Sequence, residues 1–485
     1  MKTNIILDIL DEKQTQINEL VRYDRQVRIW GEEGQKKLTE ATVTIIGDNA
    51  LAKYTALPLT ALGIGNIRIL GTQKSQPNEH IIDIPLGNTT KTEGYAQGLT
   101  KLNPNITITG IPIDLETKLS TDFLRNSNII IDTTNNPKSK HTAIDYAHKN
   151  NTPIITASVS ESSARMTLAQ QPISIEQLMP EFEEQQQNPI IALFWGGIIA
   201  EEIKKTILGD KNTLKKTLHY KQGSTQKFTA QTQQKIPFQK ELYKNKTALA
   251  IGAGALGNML TLSLAELGFG ATDYLDNDTI ESHNLNRQVC FSDAVGQSKA
   301  KTLARKHKTI NPQSTTRGIQ QKFDIKNGIY TIDAIKHRKY DVIFDLVDNL
   351  YTRAMIAAYA VINEIPLITA ASSPTACEIA TYIPGKTACL NHVFSDYYEK
   401  GKKEEIIRRQ SCIAQPDPSV IITNQVAAGL AALEMCTIFE PRYGKPFNGI
   451  IKYATNLDSR LGQINIKETC NCHKHKETVP NLELK

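Results

Sequence analysis

The chain repeats itself at long range, and no other feature constrains its fold as strongly. Val43 to Gly71 reads VTIIGDNALAKYTALPLTALGIGNIRILG, and Ala248 to Asp276 reads ALAIGAGALGNMLTLSLAELGFGATDYLD. Gly47 aligns with Gly252, Gly63 with Gly268 and Leu70 with Leu275, all at an offset of 205. Each copy is a short β-rich run, a turn, an apolar-periodic helix and a second short run, which is a β-α-β unit. Ile130 to Asn136 (IIDTTNN) then matches Ile343 to Asn349 (IFDLVDN), and Pro153 to Ala157 matches Pro366 to Ala370, now at an offset of 213. The second copy therefore carries eight extra residues, expected in the stretch after Asp276. A third pair of blocks, Pro189 to Ile203 and Pro418 to Met435, reads as apolar helices. The alternation predicts an α/β protein of two tandem domains, each a mostly parallel, doubly wound sheet.

Composition narrows the class. With 485 residues and 40% apolar content the chain exceeds one small domain and holds enough hydrophobic material for sizeable cores. Its 56 basic against 50 acidic side chains leave a net charge of +6, too thin an excess to point to nucleic acid. The run Ile190 to Ala200 falls short of the ~18 residues of a membrane span. The opening MKTNIILDILDEKQ meets Asp8 and Asp11 before any long apolar stretch, unlike a signal peptide or anchor. These features predict a cytoplasmic protein without a membrane partner. Seven scattered cysteines fit reduced thiols with catalytic or metal roles better than a disulfide framework. Between the copies, the Lys-, Gln- and Thr-rich stretch Leu208 to Lys246 reads as a linker or as surface strands capping the first domain.

The copies differ in their polar residues. Gly252, Gly254 and Gly257 form G-x-G-x-x-G between a strand and a helix, where glycines let backbone approach a phosphate and the helix N-terminus offers unpaired N–H groups. Asp276, at the end of the next strand, can accept hydrogen bonds from a ribose, so the units are Rossmann-like. The first copy has Gly47-Asp48-Asn49-Ala50-Leu51-Ala52, and Gly71 in place of Asp276. It is expected to bind no nucleotide. After Asp276 come Asn277-Asp278, Asn284-Leu285-Asn286-Arg287-Gln288, Gly296-Gln297-Ser298-Lys299-Ala300 and Asp345-Leu346-Val347-Asp348-Asn349 with Arg353. Cations and a strand-end carboxylate beside a nucleotide suit a triphosphate with magnesium, not a nicotinamide.

These motifs resemble the E1 superfamily, the ubiquitin-like-protein activating enzymes and their bacterial relatives in molybdopterin and thiamine biosynthesis. The resemblance runs from about Arg22 to Cys472 and includes Arg22-Tyr23-Asp24-Arg25-Gln26, Trp30-Gly31 and Gly34-Gln35. It implies an inactive half (residues 21–235) behind an N-terminal extension (1–20), an active half (236–472) and a C-terminal tail (473–485). It further implies that Asp276 binds ribose, that Asn284, Arg287, Gln288 and Lys299 embrace the triphosphate of ATP, and that Asp348 holds magnesium. Asp278 and Asn349 belong to the same nucleotide motifs. Arg25 would reach across from the inactive half. The implied reaction is adenylation of the C-terminal carboxylate of a ubiquitin-like, β-grasp protein ending in Gly-Gly, with an E2-like enzyme as a further partner.

Cys412 lies where thioester-forming relatives carry their cysteine, and Arg408 and Arg409 beside it would favour its thiolate. The expectation is that Cys412 takes the acyl group from the adenylate. Cys389-x-x-His392 and Cys470-x-Cys472 fall near the family's zinc-ligand pairs and could close a tetrahedral structural zinc site. Cys290, Cys377 and Cys436 read as small core residues. Three rival readings stand beside the main one. They are an adenylyltransferase without thioester formation, serving sulfur transfer, peptide maturation or tRNA modification; a non-catalytic scaffold; and a Rossmann oxidoreductase.

Overall fold

Both copies of the repeat build the same sheet. The computed structural model describes residues 22–76, 79–82, 84–116, 119–171, 178, 187–222, 239–326, 329–330, 333–336, 338–410, 418–457, 460–474 and 482. In the first half, β1 (Thr42–Ile46), β2 (Asn66–Leu70), β3 (Thr107–Ile111), β4 (Ile129–Asp132) and β5 (Ile154–Val159) run parallel. Antiparallel β6 (Ser163–Ala169) and β7 (Leu218–Lys221) complete the order β3-β2-β1-β4-β5-β6-β7. In the second half, β8 (Thr247–Ile251), β9 (Ala271–Leu275), β10 (Thr315–Ile319), β11 (Val342–Asp345) and β12 (Leu367–Ser372) are parallel. Antiparallel β13 (Ala376–Tyr382), β14 (Gly449–Ala454) and β15 (Leu461–Asn465) complete the order β10-β9-β8-β11-β12-β13-β14-β15. Central strands such as β4, IIID, are buried throughout, because helices cover both faces of each sheet.

The registers locate the extra residues of the second copy. Asn66 and Ala271 correspond at offset 205, their neighbours Thr107 and Thr315 at 208, and Ile129 and Val342 at 213. Three residues are therefore added after Asp276, as expected, but five are added between β10 and β11. Part of the Leu208 to Lys246 stretch is an edge strand, β7, so the surface-strand reading holds there; residues 223–238 lie outside those described.

Ten helices position the site: α1 (22–40), α2 (Ala50–Leu62), α3 (Lys91–Leu102), α4 (Pro137–Lys149), α5 (Pro189–Leu208), α6 (Ala255–Glu266), α7 (Lys299–Ile310), α8 (Leu350–Ile362), α9 (Tyr397–Gln410) and α10 (Ile421–Phe439). The largest core cluster joins α2 and α5 of the first half to α6 and α10 of the second, so the halves share one hydrophobic layer between their sheets. α10 is long and apolar enough to cross a membrane, yet 94% of that stretch is buried inside the protein. A helix enclosed by protein on every side needs that composition. A Cβ on Gly429 would lie 2.5 Å from Phe194 Cβ, so glycine is what lets α10 and α5 approach. The Gln425 amide donates to Tyr54 O and Leu193 O, both at 2.8 Å, pinning α10 to the first half.

A charged contact also crosses this layer. Lys53 Nζ lies 2.7 Å from Glu266 Oε1, and the Tyr54 hydroxyl donates to the same oxygen at 2.9 Å. Burial works against the Glu266 charge, but Lys53 and the hydroxyl outweigh it and bring the carboxyl from 4.5 down to about 2. A depressed carboxyl stabilises the fold above its unfolded pKa, and that contribution is lost as pH falls from about 4.5 to about 2. Lys53→Met should lower the unfolding free energy at neutral pH by about 3 kcal/mol, because Glu266 then keeps its charge with its paired cation gone and only the Tyr54 hydroxyl bonded to it. Lys53→Met with Glu266→Leu should recover most of that loss in urea titrations; equal losses in both variants would count against the pair.

Candidate active site

A cavity of about 770 Å³ opens at the carboxyl ends of β8, β9, β11 and β12, where the strand order of the second sheet reverses. Ligands of doubly wound sheets bind at such switch points. Its wall takes Gly252 after β8, Asp276 and Asp278 after β9, Asp348 and Asn349 after β11, and Ser372 at the end of β12. Asn284, Arg287, Gln288 and Lys299 come from the loop before α7 and its first turn, and Arg25 comes from α1 of the other half. Eleven of the twelve residues expected at the nucleotide and phosphate site, apart from Cys412, thus converge on one cavity.

The twelfth, Gly257, does not line it. A Cβ there would lie 2.4 Å from Gly252 O, so Gly257 lets α6 pack on the turn instead of meeting a ligand. Gly252 has φ +100°, and its missing Cβ would meet the Leu346 backbone at 2.8 Å. Gly254 caps α6 with no side-chain hydrogen bond, and a Cβ on it would meet nothing within 4 Å, only the open cavity. The helix start is thereby open to an anion. Asp276 accepts from Ala253 N at 2.7 Å and Asp278 N at 2.8 Å, which fixes its carboxylate beside this turn. Burial raises its pKa, against the pull of the two N–H groups and Lys299.

The cations are placed under tension. Burial brings Arg287 down to about 10, and the neighbouring Arg25 guanidinium adds to the effect. Arg287 donates to His283 O at 3.0 Å and Asn286 Oδ1 at 2.9 Å, both neutral oxygens. Lys299 Nζ instead lies 2.8 Å from Asp278 Oδ2, so Asp278 holds the lysine, and the pair faces the cavity together. Gln288 is buried and its Oε1 has no hydrogen-bond partner, an acceptor available at the wall. Asn284 accepts from Glu281 N at 3.0 Å and steadies the loop. Asn349 caps α8 through Thr352 N at 2.8 Å, a structural duty beside its place in the wall. Asp345, in the same motif as the exposed Asp348, is fully buried and pairs with Arg353 at 3.2 Å.

The first half has the same helix start and closes it with its own side chains. Asn49, at the position of Gly254, accepts from Ala52 N at 3.0 Å, and Gln187 Oε1 accepts from Leu51 N at 3.1 Å. Asp48, at the position of Ala253, accepts from Gln73 N at 2.7 Å, and the corresponding N–H in the second half, Asp278 N, goes to Asp276. Its carboxylate occupies the space beside Gly71, whose Cβ would come 2.5 Å from Asp48 Oδ2. Lys91, at the position of Lys299, pairs with Glu79 at 2.9 Å. The scaffold pair recurs, Asp132 with Lys140 as Asp345 with Arg353, and so does the helix cap beside it, Asn136 as Asn349.

Away from the cavity, Cys389, His392, Cys470 and Cys472 bring one ligand atom each to within 4.8 Å of one another. Cys389 Sγ lies 3.1 Å from His392 Nδ1 and 3.8 Å from Cys472 Sγ. Sulfurs about 3.8 Å apart form an edge of a tetrahedron with metal–sulfur bonds of about 2.3 Å. Cys290, Cys377 and Cys436 are buried in the core. Cys412 lies in 411–417, outside the described residues, as do the side chains of Arg408 and Arg409. The tail residue Leu482 is buried and accepts from the Tyr351 hydroxyl at 2.7 Å.

Sequence reading missed the far wall: Gln321, Phe323, Tyr351, Ser372, Glu405 and Asn424. Gln321 and Phe323 follow β10, where the second copy has its unforeseen five extra residues, which was the available signal.

The fold and cavity define a tandem doubly wound α/β protein with a cavity at a switch point, lined by Arg25, Arg287 and Lys299 and by an uncapped helix start. The chain belongs to the ThiF family, whose model matches residues 23–237 and again 233–477. It is 34% identical over 148 residues to the adenylyltransferase and sulfurtransferase MOCS3-2 of Zea mays, covering 30% of each chain. It is 32% identical over 136 residues to the tRNA threonylcarbamoyladenosine dehydratase of Haemophilus influenzae, covering 27% of this chain and 51% of that one. The matched part thus spans about a third to a half of these relatives. The crystal structure of E. coli MccB with ATP is similar at 23% identity and a TM-score of 0.40, over 47% of this chain and 66% of that one.

Gly254→Val tests the open helix start. The added side chain points into the cavity and meets no protein atom at its Cβ, so the melting temperature should hold while affinity for Mg-ATP falls about tenfold or more in calorimetric titration. Wild type should take up one equivalent per chain; two equivalents would overturn the account of the closed first half.

Proposed function

We propose that this chain is an ATP-dependent adenylyltransferase that activates the C-terminal carboxylate of a small ubiquitin-like carrier protein. The observation that carries the reading is the convergence of Arg25, Arg287 and Lys299, from both halves, on a cavity that also holds Asp276 and an open helix N-terminus. A peptide carboxylate is a poor electrophile, because its charge repels nucleophiles and oxide does not leave. It is itself a nucleophile already ionised at neutral pH, so attack on a phosphorus needs no general base. A carboxylate oxygen would bond to the α-phosphorus, the bond to the bridging oxygen would break, and pyrophosphate would leave with that electron pair, giving a mixed anhydride. The protein's task is in-line positioning and neutralisation of the phosphate oxygens by the two arginines and Lys299. Asp276 would hold the ribose, and Gly254 leaves room for the nucleotide. Magnesium, for which the exposed Asp348 offers an oxygen ligand at the wall, would supply further charge neutralisation and orientation.

The names of the adenylyltransferase and sulfurtransferase relatives favour adenylation as the core activity over the fuller expectation of an activating enzyme that loads its substrate on a cysteine. A specific placement keeps loading on Cys412 as the second reading: Glu405 and Pro418, on either side of it in sequence, both line the cavity. The Cys389, His392, Cys470 and Cys472 cluster has the ligand set and spacing of a structural zinc site. It would tie the chain after β13 to the chain after β15.

ATP–pyrophosphate exchange, driven by candidate β-grasp proteins, tests the activity. Arg25→Ala, Arg287→Ala and Asp348→Ala should each reduce exchange by about a hundredfold, in keeping with the loss of one charge-stabilising group; exchange that ignores all three would sink the proposal. Cys412→Ser should retain exchange, and it should abolish a thiol-sensitive adduct if loading occurs. Metal analysis should find one zinc per chain, with Cys470→Ser losing it and melting earlier.

A further inference from the structure

Asn286 sits in the middle of the NLNRQ motif, yet it does not line the cavity and is fully buried. Its side chain joins two residues from opposite halves. The oxygen accepts from Arg287 at 2.9 Å, and the nitrogen donates to Gln26 Oε1 at 3.5 Å, a long hydrogen bond. Gln26 follows Arg25 on α1. Its own nitrogen donates to Gln35 Oε1 at 2.8 Å and to Leu62 O at 2.9 Å, and Gln35 Nε2 donates to Leu62 O at 3.0 Å. Trp30 Nε1 donates to Gln35 Oε1 at 3.2 Å. Every amide in this chain has one orientation that serves both of its neighbours. The donor direction runs from the Arg287 guanidinium through Asn286 and Gln26 to the last carbonyl of α2. Buried amides so linked strengthen one another and cannot flip singly.

We propose that Asn286 is a positioning residue that couples Arg287 to Arg25, so that the two guanidiniums meet the polyphosphate as one unit. Resting on the adenylyltransferase reading, this adds a link that no cavity residue supplies. Two like charges from different halves need a fixed spacing to grip one chain of phosphates. Arg287 holds only neutral oxygens, and its direction is set by the Asn286 oxygen and the His283 carbonyl. Arg25 stands one residue from Gln26, whose amide is tied to the end of α2. The bridge between them is the Asn286 amide.

The test compares Mg-ATP with AMP on the full chain by calorimetry, since AMP lacks the β- and γ-phosphates. Asn286→Ala and Gln26→Met should each weaken Mg-ATP by about tenfold and leave AMP within about twofold. The double variant should be no weaker than about the worse single one, because both break the same link. A purely structural role would weaken both nucleotides alike or make the losses additive, and either result overturns the proposal. Should Asn286→Ala fail to fold, Gln26→Met decides alone, because it removes the acceptor of the Asn286 amide, together with the bonds to Gln35 and Leu62, and touches neither Arg287 nor the cavity. Wild type that binds AMP but gains nothing from the outer phosphates would remove the relay; wild type that binds neither nucleotide would remove the functional reading as well.

Discussion

Arg25 and Arg287 carry the same charge, come from opposite halves of the chain, and share one cavity. Nothing about the two side chains brings them together; the rest of the fold must hold them there against their repulsion. It does so with a common apolar layer. Trp195 and Phe194 on α5 are fully buried, α10 is enclosed along its length, and Gly429 lets the two helices close on each other. Burial first, and then this repulsion, depress Arg287, while the Asp24 carboxylate offsets part of both; an entering anion would offset more. A site of this kind suits a polyanion, and the burial of the helix layer is what sustains it.

The internal symmetry shows which parts serve the scaffold and which the ligand. The buried Asp–cation pair at the end of β4 and β11 appears in both halves, as Asp132 with Lys140 and as Asp345 with Arg353, because each fixes a strand end to the following helix. Groups that would meet a ligand are either absent from the first half or engaged there, as Lys91, at the position of Lys299, is held by Glu79. In the first half, Asn49, Gln187 and Asp48 satisfy the helix start and turn from within, so that half gains stability where the second keeps open donors. Capping side chains contribute about 1 kcal/mol each. The closed half can therefore act as a rigid mount for α1 and Arg25.

Much of this was legible in the sequence because it is local or repeated. The offset of 205 fixed the β-α-β units, and the short motifs after Asp276 lie in loops that feed one switch point, so their convergence follows from topology. The Cys389–His392 and Cys470–Cys472 pairs were legible from ligand spacing. What escaped reading comes from long-range packing. Glu405 and Asn424 reach the cavity from α9 and α10, more than 50 residues beyond the DLVDN motif, and carry no local signature. Gly257 was misassigned for the opposite reason: the pattern is local, but only the packing of α6 on Gly252 shows which of its glycines meets a ligand. The eight extra residues could be counted from aligned blocks, but dividing them into three and five required the strand registers.

The unequal pairing of the cations bears on the order of events in the cavity. Lys299 already holds the carboxylate of Asp278, which is more than half exposed, so a phosphate must compete with it or join it. Arg287 holds only neutral oxygens, and a phosphate adds to those bonds without displacing a charge. A polyanion could therefore meet Arg287 without displacing a charge, and the lysine's share would come as Asp278 gives way toward solvent. Arg25, which lies 3.9 Å from Asp24, is mounted on the closed half, so the cavity has its full set of cations only while the two halves stay joined. The same chain that carries one site thus needs both of its sheets to have it.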